Sequence, residues 1–145
     1  MFVEDIMTEN VHTISPVTTL GEASNIFKEV AYRHLLVEEN KKLVGIVSNR
    51  DILARLSPFT GSANESEYDR LQLEISVDSF MSTRMITVNR KTIIECASIL
   101  LIENNISCLP VVTDDFHIDG ILSWKDLLQY SVYGTHEQPK PPPHC

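Results

Sequence analysis

The chain has 145 residues, 43% of them hydrophobic and 22% charged, which is enough apolar material for a buried core. Its 12 basic and 20 acidic side chains give a formal net charge of −8, which argues against a nucleic-acid partner because such partners need a basic face. No apolar run approaches the roughly 20 residues that span a bilayer, and the acidic start is no signal peptide. We therefore expect a cytoplasmic protein without a membrane partner.

An internal repeat organises most of the chain. DIMTENVHTISPVTTLGEAS, residues 5–24, aligns with SFMSTRMITVNRKTIIECAS, residues 79–98, at an offset of 74. After one extra residue, VGIVSNRDIL, residues 44–53, aligns with DGILSWKDLL, residues 119–128, at an offset of 75. A match of this length with a single gap indicates two similar units.

Each unit predicts the element order β-α-β-β-α. An extended piece, VHTIS or MITVN, comes first. The first helix then begins with a predicted capping box, Thr19 with Glu22 in one unit and Thr92 with Glu95 in the other. Two strands follow, HLLVEE with KLVGIVS or CLPVVT with DGILS, and a second helix closes the unit.

The predicted fold class is α/β, with two pseudo-symmetric β-α-β-β-α units packed face to face through their sheets. A unit of about 55 residues buries too little surface to be safely stable alone, so each unit should cover the other. We expect unit 1 over residues 1–56, a linker over 57–76, unit 2 over 77–131 and a disordered Pro-rich tail over 132–145.

The three cysteines form no CxxC pair, so the sequence predicts neither a zinc ribbon nor a disulfide framework, and no metal site. We expect Cys96 and Cys108 to be small buried residues.

A Ser-x-x-Asp element joins the last predicted strand of each unit to its second helix, as Ser48–Asp51 and Ser123–Asp126. Its spacing is that of a capping box, so the element could serve only to start the second helix. Alternatively, these carboxylates lie at strand ends, where α/β folds often bind ligands, and could accept hydrogen bonds from the two hydroxyls of a ribose. The residues alone leave both interpretations open.

Cations that could hold a phosphate accompany the element in the first unit. Arg33 and His34 precede a strand, and Arg50 lies in the Ser-x-x-Asp turn, although all three could be ordinary solvated side chains. The second unit has Ser107, Cys108 and Lys125 at these places. The two candidate sites are therefore chemically unequal.

Over residues 1–131 the repeated pair resembles two CBS domains, together called a Bateman module. The resemblance is carried by the aligned stretches above and by YRHLLVEENKKLVGIVSNRDIL, NNISCLPVV and GILSWKDLL. It implies a regulatory sensor without catalytic activity that binds AMP, ADP or ATP, or alternatively S-adenosylmethionine or NAD, in the cleft between the units. It also implies a homodimer and an unknown regulated partner.

The resemblance implies a role for each candidate residue. The family's ribose position falls on Asp51 and Asp126, supported by Ser48 and Ser123. The adenine positions fall on Tyr32, Ile106, His12, Thr13, Ile86 and Thr87. The phosphate contacts fall on Arg33 and His34, and Arg50 and Lys125 lie in the adjacent turns. The chain departs from the family pattern at Leu36, where the second unit keeps the usual proline, and at the bulky Tyr32.

The competing hypothesis is a ligand-free interaction scaffold of the same fold. An enzyme is disfavoured, because the sequence contains no P-loop, GxGxxG, HExxH or GxSxG motif.

Overall fold

The computed structural model describes residues 1–30 and 32–134, and the predicted tail from residue 135 onward lies outside them. The chain forms two compact units that do not follow the repeat boundaries. The central unit comprises His12–Met85. The split unit comprises Met1–Val11 together with residues 86–134.

In its described residues, the central unit combines a three-stranded sheet with three α-helices. Its strands are β1 (Thr13–Ile14), β2 (His34–Glu39) and β3 (Lys42–Ser48), in the order β1-β2-β3. The β1 strand runs parallel to β2, and β2 runs antiparallel to β3 through a turn in which Asn40 and Lys41 have positive φ. The helices are α1 (Leu20–Glu29), α2 (Asn49–Arg55) and α3 (Glu67–Gln72). Buried and half-buried residues alternate along β3, as expected for a strand with one face on the core.

The split unit repeats this pattern with a shorter first strand. It contains α4 (Ile94–Glu103), an antiparallel pair of β4 (Cys108–Val112) and β5 (Ile118–Ser123), and α5 (Trp124–Tyr133). The strand predicted in MITVN is reduced to one parallel bridge, Val88 to Val111. The α5 helix ends at Gly134 in the left-handed conformation, so it extends two residues into the range predicted as tail. Both units combine a small sheet with helices, which confirms the predicted α/β class.

The first segment of each repeat lies in the compact unit formed mainly by the other repeat. The backbone N–H of Val3 donates to the Thr92 carbonyl at 2.8 Å, and that of Val77 donates to the Thr18 carbonyl at 2.8 Å. Each of these valines begins a short 3-10 helix, Val3–Asp5 and Val77–Ser79. The residues predicted as a linker, 57–76, therefore lie within the central unit and include α3.

Each unit has its own apolar core, and the exchanged segments contribute to both. Val77 is buried with Leu20, Leu35 and Val47 in the central unit. In the split unit the corresponding core is formed by Val3, Ile6, Met7, Leu109, Val111, Leu122 and their neighbours. Because the exchanged segments supply fully buried side chains, neither core is complete without its exchanged segment.

Two sequence predictions about α4 were wrong. The N-cap of α4 is Ile93, and Thr92 instead accepts the Asn89 N–H at 3.2 Å, as Thr18 accepts that of Ser15. Cys96 is exposed. The prediction failed because α4 is apolar on both faces, so the periodicity of its sequence did not identify the buried side. Cys108 is buried as predicted, and its burial raises the pKa of the thiol to about 12.

Within residues 1–30 and 32–134, no helix combines the length and the apolar character needed to cross a membrane.

Candidate functional site

The first Ser-x-x-Asp element joins β3 to α2 as a complete capping box. The Ser48 hydroxyl accepts the Asp51 N–H at 3.0 Å, and Asp51 Oδ2 accepts the Ser48 N–H at 2.9 Å. This confirms the capping interpretation, since helix N-termini need such acceptors for their free N–H groups. Among the residues that the structure describes, Asp51 Oδ1 has no hydrogen-bond donor, so capping uses only half of this carboxylate.

The second element caps α5 in the same way but carries more hydrogen bonds. Asp126 Oδ2 accepts from the Ser123 N–H at 2.8 Å and from the Ser123 hydroxyl at 2.9 Å. Its Oδ1 accepts from the Thr8 hydroxyl at 3.2 Å. Both oxygens of Asp126 are therefore engaged, in contrast to those of Asp51.

Arg33 and His34 lie beside the first element. His34 faces Ser48 across the β2–β3 pair, and the Arg33 carbonyl accepts the Asn49 N–H at 2.8 Å. Burial lowers the pKa of His34 below its ordinary value of 6.5; Asp51 opposes this shift and Arg33 adds to it. His34 is consequently neutral at pH 7, so the predicted pair of cations contains one charge, on the exposed Arg33.

The remaining candidates of the central unit gather at the same edge of the sheet. His12 precedes β1 and Tyr32 lies shortly before β2; these parallel strands begin at the edge where the antiparallel β3 ends. Tyr32 is 44% exposed, and His12 and Arg50 are also exposed. Thr13 lies one residue further along, opposite Leu36. The topology thus brings the predicted adenine, ribose and phosphate groups to one edge.

The equivalent residues of the split unit are more strongly engaged in the fold. Ile86 and Ile106 pack against the core, and the Ile106 N–H donates to the Leu101 carbonyl at 3.1 Å. The Ser107 carbonyl accepts the Trp124 N–H at 3.1 Å, as that of Arg33 accepts the Asn49 N–H. Thr87 is half-buried just before the Val88 bridge, and Lys125 is exposed.

Sequence reasoning missed a third capping box with the same spacing. Ser66 caps α3 by accepting the Asp69 N–H at 3.2 Å, and Asp69 accepts the Ser66 N–H at 2.9 Å. Asp69 is buried, and hydrogen bonds from the Ser66 backbone and the Ser57 side chain lower its pKa. The letters SEYD at 66–69 carry this signal, and they show that the spacing alone indicates a helix start. The contact of Thr8 with Asp126, which links residues far apart in sequence, was also missed.

Over the described ranges, no group of three or more His, Cys, Asp or Glu side chains is arranged to hold a metal ion.

Two segments of the chain, residues 3–58 and 77–133, match the family model of the CBS domain. The CBS domain-containing protein YhcV of Bacillus subtilis is 31% identical over 125 residues, which cover 86% of this chain and 81% of YhcV. The uncharacterized protein MJ1225 of Methanocaldococcus jannaschii is 25% identical over 129 residues. That match covers 88% of this chain but 46% of MJ1225.

Two solved structures of CBS proteins have similar folds over nearly their full length. The crystal structure of CBSX2 in complex with AMP is 28% identical with a TM-score of 0.76, covering 90% of this chain and 96% of CBSX2. The CBS domain pair of protein MJ0100, in complex with 5'-methylthioadenosine and S-adenosyl-L-methionine, is 25% identical with a TM-score of 0.73. It covers 92% of this chain and 96% of that pair.

Proposed function

Because the chain belongs to the CBS domain family as a tandem pair, we propose that it is a regulatory module that binds an adenosine-containing nucleotide of the AMP, ADP or ATP type. Binding shifts its conformation or dimer geometry, and this change is passed to a regulated partner protein. The chain itself has no catalytic role in this proposal. The proposal also includes the cytoplasmic location expected from the sequence.

The observation that carries the proposal is the unequal use of the Asp51 carboxylate. One of its oxygens accepts the Ser48 N–H, and the other has no donor within the described part of the chain. A carboxylate oxygen offers two acceptor positions, so Asp51 retains enough capacity to accept both hydroxyls of a ribose. Capping alone would not require the second oxygen of this half-buried carboxylate to remain without a donor.

The neighbours of Asp51 supply the other parts of a nucleotide site. Arg33 and Arg50 offer exposed guanidinium groups, which bind phosphate oxygens in a bidentate manner. His34 would gain a proton if a phosphate approached, because a nearby negative charge favours the protonated imidazole. The exposed ring of Tyr32 provides an apolar face for adenine near the start of β2.

Two relatives support the choice of ligand class. CBSX2 has been crystallised with AMP, and the MJ0100 pair with 5'-methylthioadenosine and S-adenosyl-L-methionine. These ligands share an adenosine moiety and differ in what is attached to its ribose. The cations near Asp51 favour a phosphate as that substituent, which is why AMP, ADP and ATP precede S-adenosylmethionine and NAD in the proposal.

A homodimer is the second part of the proposal, and α4 supports it. Ile99 and Ile102 are 57% and 75% exposed on this helix. The matched positions of α1 carry Asn25 and Lys28, so the fold of a unit does not require isoleucine there. Exposed isoleucines on an otherwise apolar helix favour burial against a second copy of the chain.

The alternative function is a ligand-free scaffold of the same fold. It is favoured by one observation, namely that both Ser-x-x-Asp elements are complete capping boxes and so have a structural explanation without a ligand. Under this alternative, loss of Asp51 would cost cap stability, on the order of 1 kcal/mol, and nothing else.

A thermal-shift panel separates the two functions. The ligands are AMP, ADP, ATP, NAD and S-adenosylmethionine, with GMP as the control ligand. At a ligand concentration of about 100 times Kd, binding adds about 2.7 kcal/mol, or roughly 5–10 °C for a chain of this size. We expect adenine nucleotides to stabilise the wild-type protein but not the Asp51→Asn variant. The control variant is Asp69→Asn, which alters the third capping box and should still be stabilised. Absence of any shift in folded, nucleotide-free protein would favour the scaffold.

A further inference from the structure

We propose that the Thr8 hydroxyl blocks ribose binding at Asp126, the carboxylate of the split unit that matches Asp51, by donating a hydrogen bond to it. Each chain would then bind one nucleotide, at Asp51. This inference rests on the nucleotide-binding function proposed above and names the residue that makes the two repeats unequal. Thr8 lies far from Asp126 in sequence but contacts it directly in the split unit, where its hydroxyl donates to Asp126 Oδ1 at 3.2 Å.

The acceptor capacity of the two carboxylates gives the first argument. A carboxylate has about four lone-pair positions, and a ribose 2',3'-diol needs two of them. Asp126 already accepts three hydrogen bonds, two from Ser123 and one from Thr8. Asp51 accepts one, from Ser48, within the described residues. A ribose diol can therefore bind Asp51 directly, whereas at Asp126 it would have to displace the Thr8 hydroxyl.

The position of Thr8 is fixed by its backbone. Its N–H donates to the Ile121 carbonyl and its carbonyl accepts the Ile121 N–H, both at 2.9 Å. The β-branched side chain of threonine has few χ1 choices once its backbone is held. The hydroxyl is therefore held toward Asp126, and little conformational entropy opposes its hydrogen bond.

The matched position in the central unit provides an internal comparison. Ser82 forms the same pair of backbone hydrogen bonds, to Ile46, at 3.0 Å each. Its side chain is exposed, and within the described ranges it forms no hydrogen bond with Asp51. Since the backbone frame is the same in both units, the difference lies in the side chain: a serine hydroxyl rotates freely and can remain with water.

The surroundings of Asp126 predict what ligand it would accept if Thr8 were removed. The positions matched to Arg33 and His34 hold Ser107 and Cys108, neither of which offers a positive charge. Burial raises the pKa of the Cys108 thiol, which keeps it neutral. A site opened at Asp126 would therefore bind the nucleoside and gain less from a phosphate than the site at Asp51, because the exposed cation it retains is Lys125, the counterpart of Arg50.

Isothermal titration calorimetry with AMP and with adenosine tests the inference by counting sites per chain. We expect one site in wild type and two in Thr8→Val, which keeps the shape of the side chain and removes its hydroxyl. Thr8→Ser introduces the residue found at the matched position 82 and should also open the second site. It replaces the valine variant in the experiment if that variant folds poorly. The ratio of AMP affinity to adenosine affinity should be smaller at this second site than at Asp51.

The reciprocal change, Ser82→Thr, places a threonine opposite Asp51. It should weaken AMP binding about 10- to 100-fold, because the ribose diol would have to displace the new hydroxyl from Asp51 and leave that donor without a partner. Thr83→Val, at the adjacent exposed threonine, is the matched control and should change neither affinity nor stoichiometry.

The outcomes distinguish this inference from the proposed function. Two sites in wild type, or a single site in both folded Thr8 variants, would overturn the role of Thr8 while nucleotide binding stands. No binding of AMP or adenosine to any variant would overturn the proposed function, and with it the inference. One site that persists in Asp51→Asn and disappears in Asp126→Asn would also overturn the inference.

Discussion

Gly120 lies directly against the backbone of Thr8, because a Cβ atom at position 120 would stand 2.6 Å from the Thr8 carbonyl oxygen. That oxygen also accepts the Ile121 N–H at 2.9 Å, so it cannot move away without weakening a hydrogen bond. We expect Gly120→Ala to lower the free energy of unfolding by about 1–3 kcal/mol, the usual cost of overpacking. Denaturant titration of the two proteins measures this difference.

Gly45 is the matched glycine of the central unit and serves as the control. The neighbour of an added Cβ there is the side chain of Met81, which can change its rotamer. Gly45→Ala should therefore cost less than Gly120→Ala. Equal losses at the two positions would contradict the distinction between a backbone neighbour and a side-chain neighbour.

His34 predicts a pH dependence of stability. Its pKa is lowered in the folded protein, chiefly by burial, so between that pKa and 6.5 the unfolded chain binds more protons than the folded chain. Stability therefore rises with pH through this window, and the full contribution of neutral His34 is present above about pH 6.5. We expect wild type to lose stability relative to His34→Gln as the pH falls through the window, measured by urea unfolding. A relative gain on acidification would mean that the attraction of Asp51 outweighs burial.

The exposed Arg33 side chain predicts that the protein binds AMP more tightly than adenosine. Arg33→Ala should weaken AMP binding by about 10- to 100-fold, since a hydrogen bond to a charged group contributes roughly 1.5–3 kcal/mol. Adenosine binding should be unchanged, because the Arg33 carbonyl that accepts the Asn49 N–H is retained. Lys28→Ala removes an exposed cation from α1 and is the control. Equal losses for AMP and adenosine would exclude a phosphate contact.

The exposed face of α4 predicts the oligomeric state. Ile102→Lys introduces the residue type that α1 has at the matched position, and we expect it to weaken the dimer by at least about tenfold in sedimentation equilibrium. Burial of an isoleucine contributes about 1.5–3 kcal/mol, and a two-fold interface loses it from both copies. Leu71→Lys, at a 53% exposed residue of α3, is the control. A wild-type protein that remains monomeric at high concentration would contradict this prediction.

The parts of the fold that depend on neighbours in sequence could be predicted. The strand pair that joins His34 to Ser48 follows from apolar runs around a short turn, and its counterpart follows from the repeat. The capping boxes at Ser48 and Ser123 follow from spacing, because an N-cap and its acid are three residues apart. These features need no information about the rest of the chain.

Features that depend on a choice between equivalent partners could not be predicted. The repeat alignment matches Val3 with Val77 but does not indicate which repeat each of them packs against, and the structure exchanges them. The Thr8–Asp126 contact has the same origin, because Thr8 lies in an exchanged segment. The exposure of Cys96 could not be predicted either, since α4 lacks a polar face that would mark its solvent side.

The exchange of segments sets an order in which the chain can fold during synthesis. All parts of the central unit lie within His12–Met85, so this unit can be completed as soon as those residues leave the ribosome. Met1–Val11 is synthesised before the central unit, yet it belongs to the compact unit that otherwise begins at Ile86. The apolar side chain of Val3 therefore remains uncovered until Thr92 and the later residues of its core have been translated. A segment that is made before the central unit thus reaches its native contacts after it, and it must close a loop that contains the whole of His12–Met85.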